Sequence, residues 1–401
     1  MNKIRNLLLV AAGALALTGM TGCAGEGEKT KASDLKVGLI LLHPAASSTY
    51  DKNFREAFEA AQAKLGFQAV IKENIPEGKE CQDTAEEMAE QGCDIVFADS
   101  FGHEDFMIAA AKNFPNTMFC HATGVKAATE GVANYYNAFA SIYEGRFLAG
   151  VTAGLKLKAM YYNETAENVP DEFAKIGYVG AYPYAEVVSG YTSFYLGVKS
   201  IVPNATMEVA YTNEWYHEAK EKTAAELLIG RGAKLLSQHA DSYGAPNACQ
   251  EAGIPNVSYN GSTLEQCPTT FLVSSKINWQ PYYEHVIDCL LNKKTLEKDY
   301  VGTFENVSVQ LTEFSPNCAE GTKEYVENVK AQLLAGTKHV FDTSTFTVGG
   351  AAPSEENCAP NKEYTFNYPA GTKFIEGGYY HESDYRSAPS FDVRIDGIVE
   401  L

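Results

Sequence analysis

The chain has 401 residues, with 32 Lys and Arg against 51 Asp and Glu, for a net charge of −19. An acidic surface of this kind repels DNA and anionic lipid headgroups and offers no basic track for phosphates, which sets nucleic-acid work aside. The length is enough for two domains of ordinary size.

The first element is a basic start with Lys3 and Arg5, then an apolar run over 7–17 and the small residues before Cys23. That order predicts a secretory signal over 1–22, and the run is short of the ~20 apolar residues that span a bilayer. Thr21-Gly22-Cys23 resembles the bacterial lipobox, with Met20 where Leu is usual. Cys23 is therefore expected to carry lipid, with 23–34 as a flexible polar tether. The expected localisation is extracytoplasmic, lipid-anchored to a bacterial cell membrane, with no other contact with the bilayer.

Alternation begins at residue 36. Apolar runs over 36–42, 67–72, 94–98 and 117–121 predict strands, and apolar stripes over 53–65, 81–91 and 106–114 predict the helices between them. After a long helix near 142–155 and a polar loop at 161–173, the pattern restarts. Strands are predicted at 175–180, 207–212, 234–239 and 256–259, with helices at 186–200, 217–231 and 244–252. A last stretch adds a strand at 270–274 and helices at 279–292 and 322–335. From residue 342 helical stripes stop, and short Thr, Tyr and Phe runs predict hairpins at 345–348, 364–368 and 392–395. The order argues for an α/β fold with two parallel sheets in tandem.

Beyond Cys23 there are eight cysteines with no CxxC or close pair. Cys120, Cys249 and Cys289 fall in regular elements and are expected as buried thiols; Cys318 with Cys358 is the disulfide to test first. No metal is expected, because His103, His121 and His239 follow different strands without ligand spacing. No Gly-rich phosphate loop and no GxSxG nucleophile elbow is present.

Ligands of such sheets bind beyond the carboxyl ends of the strands. The loops there carry Tyr50, Ser100, Trp215, Tyr216, Asp241 and Asn260. Rings offer stacking faces, and the polar groups offer directional hydrogen bonds, which suits a planar polar ligand. Each has a plainer alternative: Tyr50 and Asp241 as helix-cap residues, Trp215 and Tyr216 as inter-domain packing.

The segments Phe97-Ala-Asp-Ser-Phe-Gly, His121-Ala-Thr-Gly, Tyr143-Glu-Gly-Arg-Phe-Leu-Ala-Gly, Trp215-Tyr, Gln238-His-Ala-Asp-Ser and Trp279-Gln-Pro-Tyr-Tyr occur in that order. Over 36–341 the chain resembles the basic membrane protein family, lipoprotein solute-binding components of ABC importers. The resemblance implies a type I periplasmic-binding-protein fold, two Rossmann-like lobes joined by a three-strand hinge, with a β-rich C-terminal insertion over 343–388. It implies an N-terminal lobe of 35–134 and 261–276, a C-terminal lobe of 135–260 and 277–401, and crossings near 134–137, 259–261 and 275–278. It implies a purine base or nucleoside as ligand, adenine-like favoured, an ABC permease as partner, a monomer, no cofactor and no catalytic residue. By position, Tyr50 and Tyr216 would sandwich the base, Trp215 would wall the pocket, Asp241 would read a base edge, and Ser100 and Asn260 would face the cleft. The first loop, His43-Pro-Ala-Ala-Ser-Ser-Thr-Tyr50, departs from the family's Gly-Gly-x-x-Asp-x-Ser-Phe and leaves ribose binding open. A nucleoside-hydrolysing enzyme and a ligand-sensing adaptor are the rival readings.

Overall fold

The computed structural model describes residues 29–165, 167–360, 368 and 371–401. The expected signal and Cys23 lie outside the described residues. Among the described residues no helix is long and apolar enough to cross a membrane.

The first lobe opens with β1 (Lys36–Ile40), α1 (Thr49–Leu65), β2 (Gln68–Lys72), α2 (Lys79–Glu90), β3 (Ile95–Ala98), α3 (Glu104–Asn113), β4 (Met118–Ala122) and β5 (Tyr135–Ala140). Helix α1 starts where the Ser48 side chain accepts the Asp51 N–H, and stops at Gly66 in the left-handed region at φ 80°. Its buried face carries Phe54, Ala57, Phe58 and Ala61, the helical stripe visible in the sequence.

The second lobe follows with α4 (Ile142–Tyr161), β6 (Lys175–Gly180), α5 (Ala185–Lys199), β7 (Thr206–Tyr211), α6 (Glu218–Gly230), β8 (Leu236–His239), α7 (Gly244–Ala252), β9 (Asn256–Tyr259) and β10 (Phe271–Ile277). Helices α4 and α5 cross at Gly150 and Gly197, where a Cβ on either would collide with the other helix's backbone. The chain then returns to the first lobe as α8 (Gln280–Leu291) and β11 (Asp299–Gly302), and to the second as β12 (Val309–Leu311) and α9 (Thr322–Leu334). It ends with β13 (Ile375–Glu376), β14 (Tyr379–Tyr380) and β15 (Ile398–Glu400).

The first sheet has six parallel strands in the order β11-β5-β4-β3-β1-β2; the second has seven in the order β12-β10-β9-β8-β6-β7-β15. In these two sheets, among the described residues, β12 alone runs antiparallel, against β10. Three connections cross between the lobes: Ser141, the turn from Ile277 to Trp279, and the return from Gly302 to Val309. They are tied to one another by Ser141 N–H to Gly302 O at 2.8 Å and Asn278 N–H to Ser308 O at 2.7 Å.

These pairings correct the expected lobe boundaries. Residues 271–277 join the second sheet through β9, and α8 with β11 belongs to the first lobe, where Tyr283 packs edge-on against Phe58 and Phe97. The first crossing falls after β5, not at 134–137, because β5 is a full strand of the first sheet. The 259–261 segment stays within the second lobe; the 275–278 crossing lies where the sequence places it, at the end of β10.

The C-terminal segment is also differently built. Three hairpins are expected; among the described residues the segment holds one, Ile375–Glu376 with Tyr379–Tyr380. Of 364–368 only Tyr368 is described, Val348 makes a single bridge to Ala351, and 392–395 pairs with no strand among the described residues. Rings hold it instead: Phe391 stacks on Phe341 at 4.1 Å and meets Tyr380 edge-on at 4.9 Å. Cys318 and Cys358 are free thiols, as are the other described cysteines.

Candidate functional site

The strand ends of the two sheets face each other, and the lobes are closed. The Thr49 N–H, at the start of α1, donates to Asp241 O of the second lobe at 2.9 Å. Phe101 meets Tyr184 across the gap at 5.8 Å between ring centres, and His43 meets Tyr216 at 5.1 Å. Between these contacts lies a narrow cavity whose atom-free space, open solvent included, is about 330 Å³. Leu42, Tyr50, Ser100, Phe101 and Thr123 line it from the first lobe, and Glu186, Trp215, His239, Asp241 and Tyr259 from the second.

The first-lobe wall is held from behind. The Tyr50 hydroxyl donates to Asp99 O at 2.7 Å, and its ring leans on Phe54. Ser100 sends its hydroxyl away to Glu77 at 2.5 Å. Asp51 is buried and satisfied: its carboxylate accepts from the His43 N–H at 2.8 Å and the Ser48 hydroxyl at 2.5 Å. Asp99 accepts the Leu42 N–H at 3.1 Å. Burial and the neighbouring Asp51 charge push the Asp99 carboxyl well above the usual range, while the bonds to His43 and Ser48 help hold Asp51 below it. Neither acid lines the cavity. Thr123 takes a left-handed φ of 69°, and its buried hydroxyl has no partner.

The second-lobe wall carries the acids that do line it. Asp241 is 5 % exposed, and its carboxylate makes no hydrogen bond; its backbone alone is engaged, N–H to Trp215 O and carbonyl to Thr49. Burial, with the charges of Asp51, Glu221 and Glu186, raises its carboxyl well above the usual range. Glu186, the second residue of α5, lies 3.3 Å from His239 Nε2, and burial pushes its carboxyl up to about 7. Desolvation holds His239 neutral, and its Nδ1 has no partner. Beneath them the buried Arg146 guanidinium sits 3.4 Å over the Tyr259 ring and donates to Gln238 O at 2.9 Å. Trp215 is braced edge-on by Tyr182 at 5.1 Å.

Of the six residues the sequence singles out, Tyr50, Ser100, Trp215 and Asp241 line the cavity. Tyr216 does not: its ring lies on His43, so the Tyr50–Tyr216 sandwich is not formed. Asn260 is buried at φ 62° beside the cavity, in the loop whose Gly261 abuts Thr49, and does not line it. Phe101, Thr123 and His239 lie in segments the sequence singles out without being chosen as ligand residues, Glu186 falls at the start of a predicted helix, and Tyr259 closes a predicted strand. Among the described residues no cluster of His, Cys, Asp and Glu could hold a metal ion.

A family model described as ABC transporter substrate-binding protein PnrA-like matches residues 35–336. A purine-binding protein of Brucella abortus is 29 % identical over 80 % of this chain and 86 % of its own. A putative ABC transporter glucose-binding protein of Haloferax volcanii is 30 % identical over 65 % of this chain and 62 % of its own. A solved solute-binding protein of an ABC transporter system from Conexibacter woesei superposes with a TM-score of 0.60 at 19 % identity, over 76 % of this chain and 98 % of that one. This last likeness concerns the fold, two α/β lobes around a cleft.

Proposed function

Because the chain belongs to the Bmp family of ABC transporter substrate-binding proteins, a family of extracytoplasmic binding proteins and not of enzymes, we propose that its inter-lobe cavity captures a purine, with a free base of the adenine type favoured over a nucleoside. The observation that carries this reading is Asp241, a buried carboxylate without a hydrogen-bond partner on the wall of an aromatic cavity. A ring N–H and an exocyclic amino group are the donors such a carboxylate lacks. Tyr50, Phe101 and Trp215 supply apolar faces for a flat ring. Asp51 and Asp99 of the first lobe lie behind the wall, which leaves that side the unpartnered Thr123 hydroxyl but no carboxylate for a ribose diol. The relative named for purine binding supports the same class; the relative named for glucose supports a sugar, and a sugar is the second reading.

In this proposal the closed, loaded protein docks as a monomer on its permease, and lipid on Cys23 keeps it at the membrane. Metabolic labelling with palmitate, lost in Cys23→Ala, tests the anchor. Mass spectrometry of ligand released from the purified protein tests the capture, followed by calorimetry with adenine, adenosine and glucose. Adenine bound unchanged, with a raised melting temperature, supports the reading. Glucose bound in its place, or base released from adenosine, overturns it.

A further inference from the structure

Residues 337–401 lie beyond the family match, and they do more than decorate the second lobe. Their root is there. Strand β15 pairs in parallel with β7, Ile398 opposite Met207. Glu382 accepts the Ser189 hydroxyl of α5 at 2.6 Å, and Phe341, under Phe391, stacks on Tyr143 of α4. Between these anchors the chain reaches over to the first lobe. The Ser387 N–H donates to one oxygen of Asp299 at 2.7 Å, and its hydroxyl donates to the other at 2.5 Å. Asn137 Nδ2 donates to the same hydroxyl at 3.1 Å. Asp299 opens β11 and Asn137 lies opposite it in β5. Ser387 is fully buried.

The contact continues to the cavity. Asn137 clamps both backbone groups of Gly124, accepting its N–H at 2.7 Å and donating to its carbonyl at 2.8 Å. The next residue back is Thr123, held at positive φ on the cavity wall. A hinge motion rotates one lobe against the other about its crossing strands. The Ser387 contact is a further link between the lobes, outside those three crossings. It consists of polar groups that water can replace, not of an apolar seal, so it can open and re-form.

We propose that residues 382–390 form an inter-lobe strap, with Ser387 on Asp299 as its catch, that holds the cleft closed and keeps the Thr123 wall in place. The proposal does not depend on which ligand the cavity takes. The test is amide hydrogen exchange on the full ligand-free chain, reading the Thr49 N–H that bridges the cleft to Asp241. In Asp299→Ala, and more mildly in Ser387→Ala, Thr49 should exchange about tenfold faster or more, with the core amides of Leu39 and Ile176 unchanged. The radius of gyration from X-ray scattering should rise with it. Thr347→Ala removes a hydrogen bond to Asp396 inside the same C-terminal segment and should leave Thr49 unaffected. Unchanged Thr49 exchange in both strap variants overturns the proposal. So does acceleration of Leu39 and Ile176 to the same degree, which would make the contact a matter of global stability alone.

Discussion

The two walls of the cleft use carboxylates in opposite ways. In the first lobe Asp51 and Asp99 are buried behind the wall, bonded to His43, Ser48 and Leu42, and they brace the loop that carries Tyr50. In the second lobe Asp241 and Glu186 sit on the wall itself, and the Asp241 carboxylate has no hydrogen-bond partner. Asp51 has its bonds made, and Asp99, with one oxygen unpartnered, stays behind the wall, so both are structural; an unpartnered acid on the wall is available to a ligand. The first lobe therefore supplies shape and rings, and the second supplies the polar reading.

The strongest way to break this contrast is to remove one acid from each lobe. Asp51→Ala strands several buried donors and should cost stability, on the order of 2–3 kcal/mol, read by denaturant unfolding. Its ligand ranking should stay as in the unaltered protein. Asp241→Ala should do the reverse, weakening adenine binding by about 1.5–3 kcal/mol, the range for hydrogen bonds to a charged group, while the melting temperature holds or rises. Calorimetry that finds equal affinity losses in both variants would erase the distinction. Trp215→Ala should follow with a loss of roughly 1–3 kcal/mol in affinity if a base stacks on that wall.

Proton linkage sharpens the same picture. Burial raises Glu144, Glu186 and Glu382 to about 7 each. Such groups bind a proton in the fold that the unfolded chain has released, so their stabilising contribution is present below about pH 4.5 and is lost as pH rises through 7. His103 and His121, lowered to about 4, act oppositely, but their contribution is complete once pH exceeds about 6.5. Between about pH 6.5 and 8.5 the raised carboxyls, Asp99 and Asp241 with the glutamates, act without the histidines, and the melting temperature should fall across that window. Glu382→Gln should flatten the decline; a slope equal to that of the unaltered protein would remove Glu382 from this account.

Much of the fold was legible because alternating apolar runs and helical stripes are local signals. β1 to β4, β6 to β10 and most helices follow directly from them, whereas β5 reads there only as a crossing. The sheet to which a strand belongs is not local. Phe271–Ile277 looks the same whether it pairs with β9 or with a first-lobe strand, and the lobe boundary after residue 260 was misread for that reason. The site divides similarly. The strand-end rule finds its loops, yet the direction of each side chain depends on partners far away in sequence. Asp51 was consumed by Ser48 and His43, whereas Glu186 reads in the sequence as an ordinary acid in the first turn of a helix. Only the packing of His239 against it, with Ser189 one turn on bonded to Glu382, makes it a buried wall residue.

The smallest expected effect concerns the aromatic that the sequence ranked beside Tyr50. Tyr216 rests on His43 at the mouth of the closed cleft, its ring centre 5.1 Å from the imidazole, and it is absent from the cavity wall. Removing it loosens one contact between the lobes but takes no surface from a ligand already enclosed. An aromatic pair of this kind contributes roughly 0.5–1.5 kcal/mol, and only the part that differs between open and closed cleft reaches the affinity. Tyr216→Ala should therefore cost less than about 1 kcal/mol in adenine binding, expressed as faster dissociation, since a mouth contact slows escape more than it guides entry. A loss as large as that of Trp215→Ala would put Tyr216 back on the ligand and make the two lobes equal partners in stacking.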